Sequence, residues 1–180
     1  MKPTILLTHK ELVEKSKSGD RNSQYKLYMH YIDAMYNTCM RMVEIKEDAE
    51  DIIQDSFIQA FKNLHTFKYE STFGAWLKRI VINKSINHLK LKRVAVVPLE
   101  KYEFYITEEV ENESALYSIQ KIKSGINLLP NGYKQIINLY LIEGYDHIEI
   151  GEILEISTST SKSQYHRAKK KLIEVLNELK

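Results

Sequence analysis

A single cysteine, three prolines and six glycines are scattered through 180 residues. Cys39 on its own excludes an internal disulfide and argues against a cysteine-based zinc site. Its neighbours Met35, Tyr36, Met40, Met42 and Val43 favour a small buried hydrophobe over a reactive thiol. Scarce glycine and proline fit helices joined by short turns better than a glycine-rich all-β fold. No apolar run approaches the roughly 20 residues of a membrane-spanning helix. The apolar patch Ile5–Leu7 is too short for a secretory signal. The expected location is therefore the cytoplasm, with no membrane insertion. His9, His30, His65, His88, His147 and His166 show no metal-ligand spacing, and neither a glycine-rich phosphate loop nor a nucleophile motif occurs. The chain is expected not to be an enzyme and to use no metal or cofactor.

The formal charge of +2 conceals an uneven distribution. Residues 1–93 hold 16 basic and 11 acidic side chains, a balance of +5. Residues 94–115 hold Lys101 against six glutamates, a balance of −5, and residues 116–180 return to +2. This predicts two basic modules, 1–93 and 116–180, joined by an acidic segment that nucleic acid would repel. The joining segment contains Pro98 and lacks helical periodicity, so it reads as an extended linker, with a strand over Val94–Leu99 as the alternative.

Apolar residues at three- and four-residue spacing predict helices over 49–67 (Ile52, Ile53, Phe57, Ala60, Phe61, Leu64) and 73–91 (Trp76, Leu77, Ile80, Val81, Ile86, Leu89). Asp48 is placed to cap the first of these, and an earlier helix is expected over 21–43. The second module reads as helices over 116–129, 133–142, 146–154 and 158–179, broken at Leu129-Pro130-Asn131-Gly132, at Glu143-Gly144 and at Glu155-Ile156-Ser157. Ile148, Gly151 and Leu154 are expected to face inward, Ile156 to plug the core, and Ser157 to cap the last helix. The fold class is all-α: two small helical domains and a linker.

The last helix opens with short polar side chains and becomes cationic, with no acidic residue until Glu174. A short helix, a tight turn and then such a helix make a helix-turn-helix, whose second helix enters the major groove of DNA. There Ser, Thr, Lys, Gln and Arg read base edges while Lys and Arg hold phosphates. A solvated basic helix is the plain alternative, since cations also suit a helix C-terminus. Within 72–93, Lys78, Arg79, Lys84, Lys90, Lys92 and Arg93 run without an acidic residue beside Phe73, Trp76, Asn83 and Asn87. Cations, aromatic rings and amides together suit single-stranded DNA, although Phe73 and Trp76 can equally be core. The carboxylates of Glu44, Glu47, Asp48, Glu50, Asp51 and Asp55 do the opposite, and suit solvent or a basic protein partner.

In this order and spacing, the segments resemble RNA polymerase sigma factors of the small extracytoplasmic function (ECF) type, from Gly19 and Asp20 to the C-terminus. Asp48-Ala49-Glu50-Asp51-Ile52-Ile53-Gln54-Asp55-Ser56-Phe57 resembles the segment that grips the polymerase clamp helices. The resemblance implies polymerase contacts by Asp51, Gln54, Asp55 and Phe57. Phe73-Gly74-Ala75-Trp76-Leu77-Lys78-Arg79-Ile80-Val81-Ile82-Asn83 is similar to the promoter-melting, minus-ten-reading region. It implies a DNA path lined by Trp76, Lys78, Arg79, Asn83 and Asn87, with the 65–72 loop pocketing a flipped base. Leu128-Leu129-Pro130-Asn131-Gly132-Tyr133 and Glu143-Gly144-Tyr145 resemble the opening of the second conserved domain. Lys162, Ser163, His166 and Arg167 match positions that contact the minus-thirty-five element, with Lys170 a turn further on. Core RNA polymerase (clamp helices and flap), promoter DNA and an anti-sigma factor are the implied partners. Glu155 departs from the pattern, standing where the family often has glycine in the helix-turn-helix. A stand-alone helix-turn-helix regulator is the competing reading, but it leaves the first module without a role.

Overall fold

In the computed structural model, residues 9–95 and 115–179 are described, and the chain divides between Ala95 and Val96 into two compact units. Every regular element among the described residues is helical. The expected acidic linker lies outside the described residues apart from its ends: Val94 and Ala95 continue a helix, and Ala115 begins one.

The first unit contains α1 (Lys10–Lys17), α2 (Arg21–Val43), α3 (Lys46–Lys62), a 3-10 turn (Leu64–Thr66) and α4 (Phe73–Ala95). The Asp20 side chain caps α2 by accepting from the Ser23 N–H. Thr72 Oγ1 accepts from the Ala75 N–H at the start of α4. Helices α2, α3 and α4 pack against one another, and α1 lies on α2. Leu27, Cys39, Ala49, Phe57, Phe73, Leu77, Val81, Ile82 and Ile86 fill the space between them. Each large apolar side chain so buried stabilises the bundle by about 1.5–3 kcal/mol, far more than intrinsic helix propensity supplies. Cys39 is enclosed beside Ser85, and burial pushes its thiol pKa up, as expected of an inert core residue.

One capping expectation fails here. Helix α3 begins at Lys46 rather than near Ala49, its N-cap is Ile45, and Asp48 lies inside the first turn. Free of a capping role, the Asp48 carboxylate accepts from Lys92 Nζ and lies 3.1 Å from His88 Nε2, both on α4. The histidine contact is off-line for a hydrogen bond and acts through charge when the ring is protonated. Burial pushes the Asp48 pKa up, but the lysine hydrogen bond and the histidine contact outweigh it and hold the carboxyl below its ordinary value.

The second unit contains α5 (Ala115–Asn127), α6 (Asn131–Ile137), a π-helical turn (Asn138–Ile142), α7 (His147–Leu154) and α8 (Thr158–Glu178). What reads in sequence as one helix over 133–142 is thus α6 running into a wider turn, closed by the Glu143 N–H donating to the Asn138 carbonyl. Asp146 and Glu149 form a reciprocal capping box at the start of α7. Ser157 caps α8 as expected, accepting from the Thr160 N–H. Ile136, Ile137, Leu139, Ile150, Ala168 and Leu172 form this unit's core.

The inward face of α7 differs from the expectation. Ile148 is 62% exposed, whereas Ile150, Gly151 and Ile153 are buried, Leu154 is half-buried, and Ile156 is only partly covered. His147 takes the inward position that the sequence assigns to Ile148, because its Nδ1 shares a 3.0 Å hydrogen bond with the buried Ser161 hydroxyl on α8. After α7, Glu155 adopts the left-handed conformation (φ 59°, ψ 45°), so the turn keeps the geometry that glycine favours despite carrying a Cβ.

Candidate nucleic-acid interface and polymerase face

Helix α8 separates two faces cleanly. At about 100° per residue, Lys162, Ser163, His166, Arg167 and Lys170 share an arc of about 140°, and all five are exposed. The buried Ser161, Ala168, Leu172 and Val175 occupy the opposite side. Three rings anchor the helix from behind. Tyr140 of the π-helical turn stacks on His147 with centroids 4.6 Å apart, and both pack against Tyr165 of α8, at 4.4 and 5.6 Å. Burial and the neighbouring Tyr140 raise the Tyr165 phenol above its ordinary pKa, so it stays neutral. Sequence reasoning missed this cluster, since three aromatic residues on three elements follow no helical period.

On α4, Trp76, Arg79, Asn83 and Asn87 fall at i, i+3, i+7 and i+11 and form one stripe about 80° wide. Asn83 and Asn87 are exposed, while Trp76 and Arg79 are half-buried. Lys78 stands off this stripe by more than about 90° and does not join it. Phe73, with 1% exposure, is core. Trp76 is half-buried: its ring centroid lies 5.3 Å from that of Phe67 and 5.9 Å from that of Phe73, so it packs on the core while part of the residue stays accessible.

The 65–72 loop beside this stripe is tied to α1, to which the sequence assigned no role. Tyr69 has a left-handed backbone (φ 61°), uncommon for a bulky residue. Its hydroxyl donates to Glu14 Oε1, and Lys17 Nζ donates to the Phe67 carbonyl at 3.1 Å while lying 4.7 Å over the Tyr69 ring. The hydrogen bonds from Tyr69 and then Lys17 lower the Glu14 pKa. Burial and the Glu14 carboxylate raise that of Tyr69.

The acidic set on α3 divides. Asp51, Gln54 and Asp55 are exposed, with the apolar Ile58 beside them. Asp55 also pairs with Lys84 of α4 at 3.5 Å. Phe57 is 3% exposed, so it is a core ring rather than a projecting contact. It floors a cleft of about 790 Å³ between α2 and α3, walled by Tyr28, Ile32, Tyr36, Gln54 and Ile58. The carboxylates of Asp48 and Asp55 thus partly serve the fold, and no sequence signal links Asp48 to Lys92, 44 residues away. Among the described residues no cluster of three metal-ligating side chains occurs, and no helix is long and apolar enough to cross a membrane.

Comparison with known proteins agrees with this two-part arrangement. Residues 27–94 match the family model described as Sigma-70 region 2, and residues 119–172 match that described as Sigma-70, region 4. The chain is 31% identical to the ECF RNA polymerase sigma factor SigW of Bacillus subtilis, over 94% of this chain and 97% of that protein. It is 29% identical to the ECF RNA polymerase sigma-E factor of Haemophilus influenzae, over 91% and 92% respectively. In fold it is similar to the sigma factor RpoE of Bartonella quintana, solved in complex with the anti-sigma factor NepR. The TM-score is 0.62 at 21% identity, covering 85% of this chain and 96% of that one.

Proposed function

Since the chain belongs to the sigma-70 family as an ECF-type RNA polymerase sigma factor, and so directs transcription initiation, we propose how its two units divide the reading of a promoter. Lys162, Ser163, His166, Arg167 and Lys170 on α8 read the minus-thirty-five duplex from the major groove. Short polar and basic side chains on one exposed arc can reach base edges and flanking phosphates together. Trp76, Arg79, Asn83 and Asn87 on α4, with the 65–72 loop, hold the melted minus-ten strand; Lys78 contributes charge from outside the stripe. Asp51, Gln54 and Asp55 on α3 meet the polymerase clamp, with Phe57 supporting that face from below. The second unit also meets the polymerase flap.

The single observation behind this division is the exposed arc of α8 in one unit and the amide-aromatic stripe of α4 in the other, each inside its own sigma-70 match. On this reading the chain supplies binding energy and no catalytic group, and works beside polymerase in the cytoplasm. An anti-sigma protein is a further proposed partner, supported by the similarity in fold to a sigma factor solved with one. The stand-alone regulator reading loses ground because residues 27–94 match sigma-70 region 2.

Reconstitution of the full chain with core polymerase, and selection of promoters from a random duplex pool, tests the division. The expected product is a pair of motifs, with substitutions on α8 altering preference only at the upstream motif. Altered preference at the downstream motif instead would refute the assignment.

A further inference from the structure

We propose that α1 is a positioning element for strand reading: Glu14 and Lys17 clasp the 67–69 segment and so set the loop and Trp76 for the melted strand. The proposal rests on the reading of the 65–72 loop and the α4 stripe as the minus-ten site. Its basis is a closed set of contacts between α1 and the loop. Glu14 accepts from the Tyr69 hydroxyl and, at 3.1 Å, from Lys17 Nζ; Lys17 in turn donates to the Phe67 carbonyl. The Lys17 ammonium lies over the Tyr69 ring at 4.7 Å, and that of Lys10 at 5.8 Å.

These contacts act on a backbone that does not hold itself. Tyr69 keeps φ at 61° with a bulky side chain, a conformation that persists only where surrounding contacts over-determine it. The clasp supplies those contacts. Its effect passes inward through the rings: Tyr69 lies 4.7 Å from Phe67, and Phe67 lies 5.3 Å from Trp76. Phe67 is 4% exposed and so fixed on its inner side, whereas Lys68 and Glu70 are exposed. Releasing Tyr69 would therefore let the 68–70 backbone relax outward and remove the ring that backs Phe67 on the side away from the core, loosening the support of Trp76 while the helical core stays packed. Glu14 and Lys17 touch no DNA in this scheme; they are positioning residues.

The test uses full-length chain with core RNA polymerase on a promoter selected by the wild-type holoenzyme, carrying 2-aminopurine in the minus-ten segment to report strand opening. Tyr69→Phe keeps the ring and removes only the hydroxyl, and Glu14→Ala removes its acceptor. Each is expected to slow isomerisation to the open complex about tenfold, the worth of one charge-assisted hydrogen bond. Closed-complex binding, polymerase affinity and the thermal midpoint of the free chain are expected to stay near wild type. Glu14→Gln, whose amide oxygen still accepts from the phenol, is expected to restore most of the rate.

Wild-type opening rates in both Tyr69→Phe and Glu14→Ala overturn the proposal. So does a parallel fall in thermal midpoint and polymerase affinity, the mark of a merely structural contact. Asn83→Ala, measured alongside, separates two failures. If it slows opening and the clasp variants do not, the clasp alone is wrong. If none of the three slows opening, the strand-reading assignment falls and takes the clasp with it.

Discussion

Replacing Gly151 with alanine probes whether the helix-turn-helix is held as tightly as its geometry implies. An added Cβ would lie 2.8 Å from the Ile156 carbonyl oxygen, 3.7 Å from the Thr158 nitrogen and 3.8 Å from the Ser157 carbonyl carbon. All three are backbone atoms, so no side chain can swing aside; the turn itself must open. That movement also strains the 2.9 Å hydrogen bond from the Ile156 N–H to the Gly151 carbonyl. Overpacking costs about 1–3 kcal/mol and a weakened buried hydrogen bond about 1 kcal/mol, while alanine regains about 1 kcal/mol of helix propensity. The net loss is about 2 kcal/mol, which in a unit of this size lowers the midpoint by about 8–16 °C. The chain has one tryptophan, Trp76, in the first unit, so its fluorescence follows that unit alone while far-ultraviolet circular dichroism follows both. In Gly151→Ala the dichroism transition should split or shift down while the fluorescence transition stays in place. An unchanged or raised dichroism midpoint would show that the turn yields without cost, and would refute the reasoning.

Other outcomes follow from the same contacts. Asp48→Asn leaves Lys92 and His88 facing an uncharged group and should destabilise the first unit by about 1–2 kcal/mol at neutral pH, the lower figure reflecting the partial exposure of Lys92. Because folding depresses the Asp48 pKa, its contribution is present above the unfolded carboxylate range and is lost as pH falls through the folded value. The gap between the melting curves of wild type and Asp48→Asn should therefore hold above about pH 4 and narrow as pH falls below that ordinary carboxylate range; a gap that keeps its full size on acidification counts against the pairing. Arg167→Ala should weaken upstream-element recognition by about 1–3 kcal/mol in a competition assay and leave polymerase binding intact; loss of polymerase binding contradicts the role. Asp51→Ala with Gln54→Ala should lower affinity for core polymerase in a fluorescence titration without moving the chain's thermal midpoint. Unchanged affinity would remove α3 from the interface.

The sequence was readable where a local rule decides the outcome. Asp20 and Ser157 are short polar residues just before apolar or basic periodic runs, and both cap as expected. The period of α4 survives in the structure because α2 and α3 pack on the face that carries Phe73, Leu77, Val81, Ile82 and Ile86 and leave Asn83 and Asn87 exposed. Where a long-range partner competes with a local rule, the expectation fails. Asp48 has the residue type of a cap, but Lys92 and His88 offer it a charged site inside the first turn instead. Ile148 looks inward by hydrophobicity, yet His147 has a hydrogen-bond partner in Ser161 and a stacking partner in Tyr140, and one turn of helix cannot face both inward. Lys78 belongs to the basic run by composition, but helical geometry turns it off the stripe formed by Trp76, Arg79, Asn83 and Asn87.

The ion pairs also explain how one small unit can carry two surfaces of opposite charge. Helix α4 has its amide-aromatic stripe on one side, and Lys84, His88 and Lys92 about 140° away on the side facing α3. There Asp48 and Asp55 meet them. The seam between α3 and α4 thereby sets Lys84 against Asp55 and Lys92 against Asp48, so these two half-buried lysines are matched by carboxylates before any partner arrives. On the proposed strand path along α4, unpaired carboxylates at Asp48 and Asp55 would repel the DNA backbone wherever it came within a Debye length of about 8–10 Å. Asp51 and Gln54 stay exposed outside the seam, on the face proposed to meet the polymerase clamp. Reversing one rung, as in Asp55→Lys, would set two cations together across the seam. The charge separation then predicts an effect on both functions at once: polymerase affinity falls through the lost carboxylate, and nonspecific DNA binding rises with a steeper salt dependence. A variant that lost polymerase affinity while its DNA binding and salt slope stayed unchanged would mean that the two surfaces are independent of the seam.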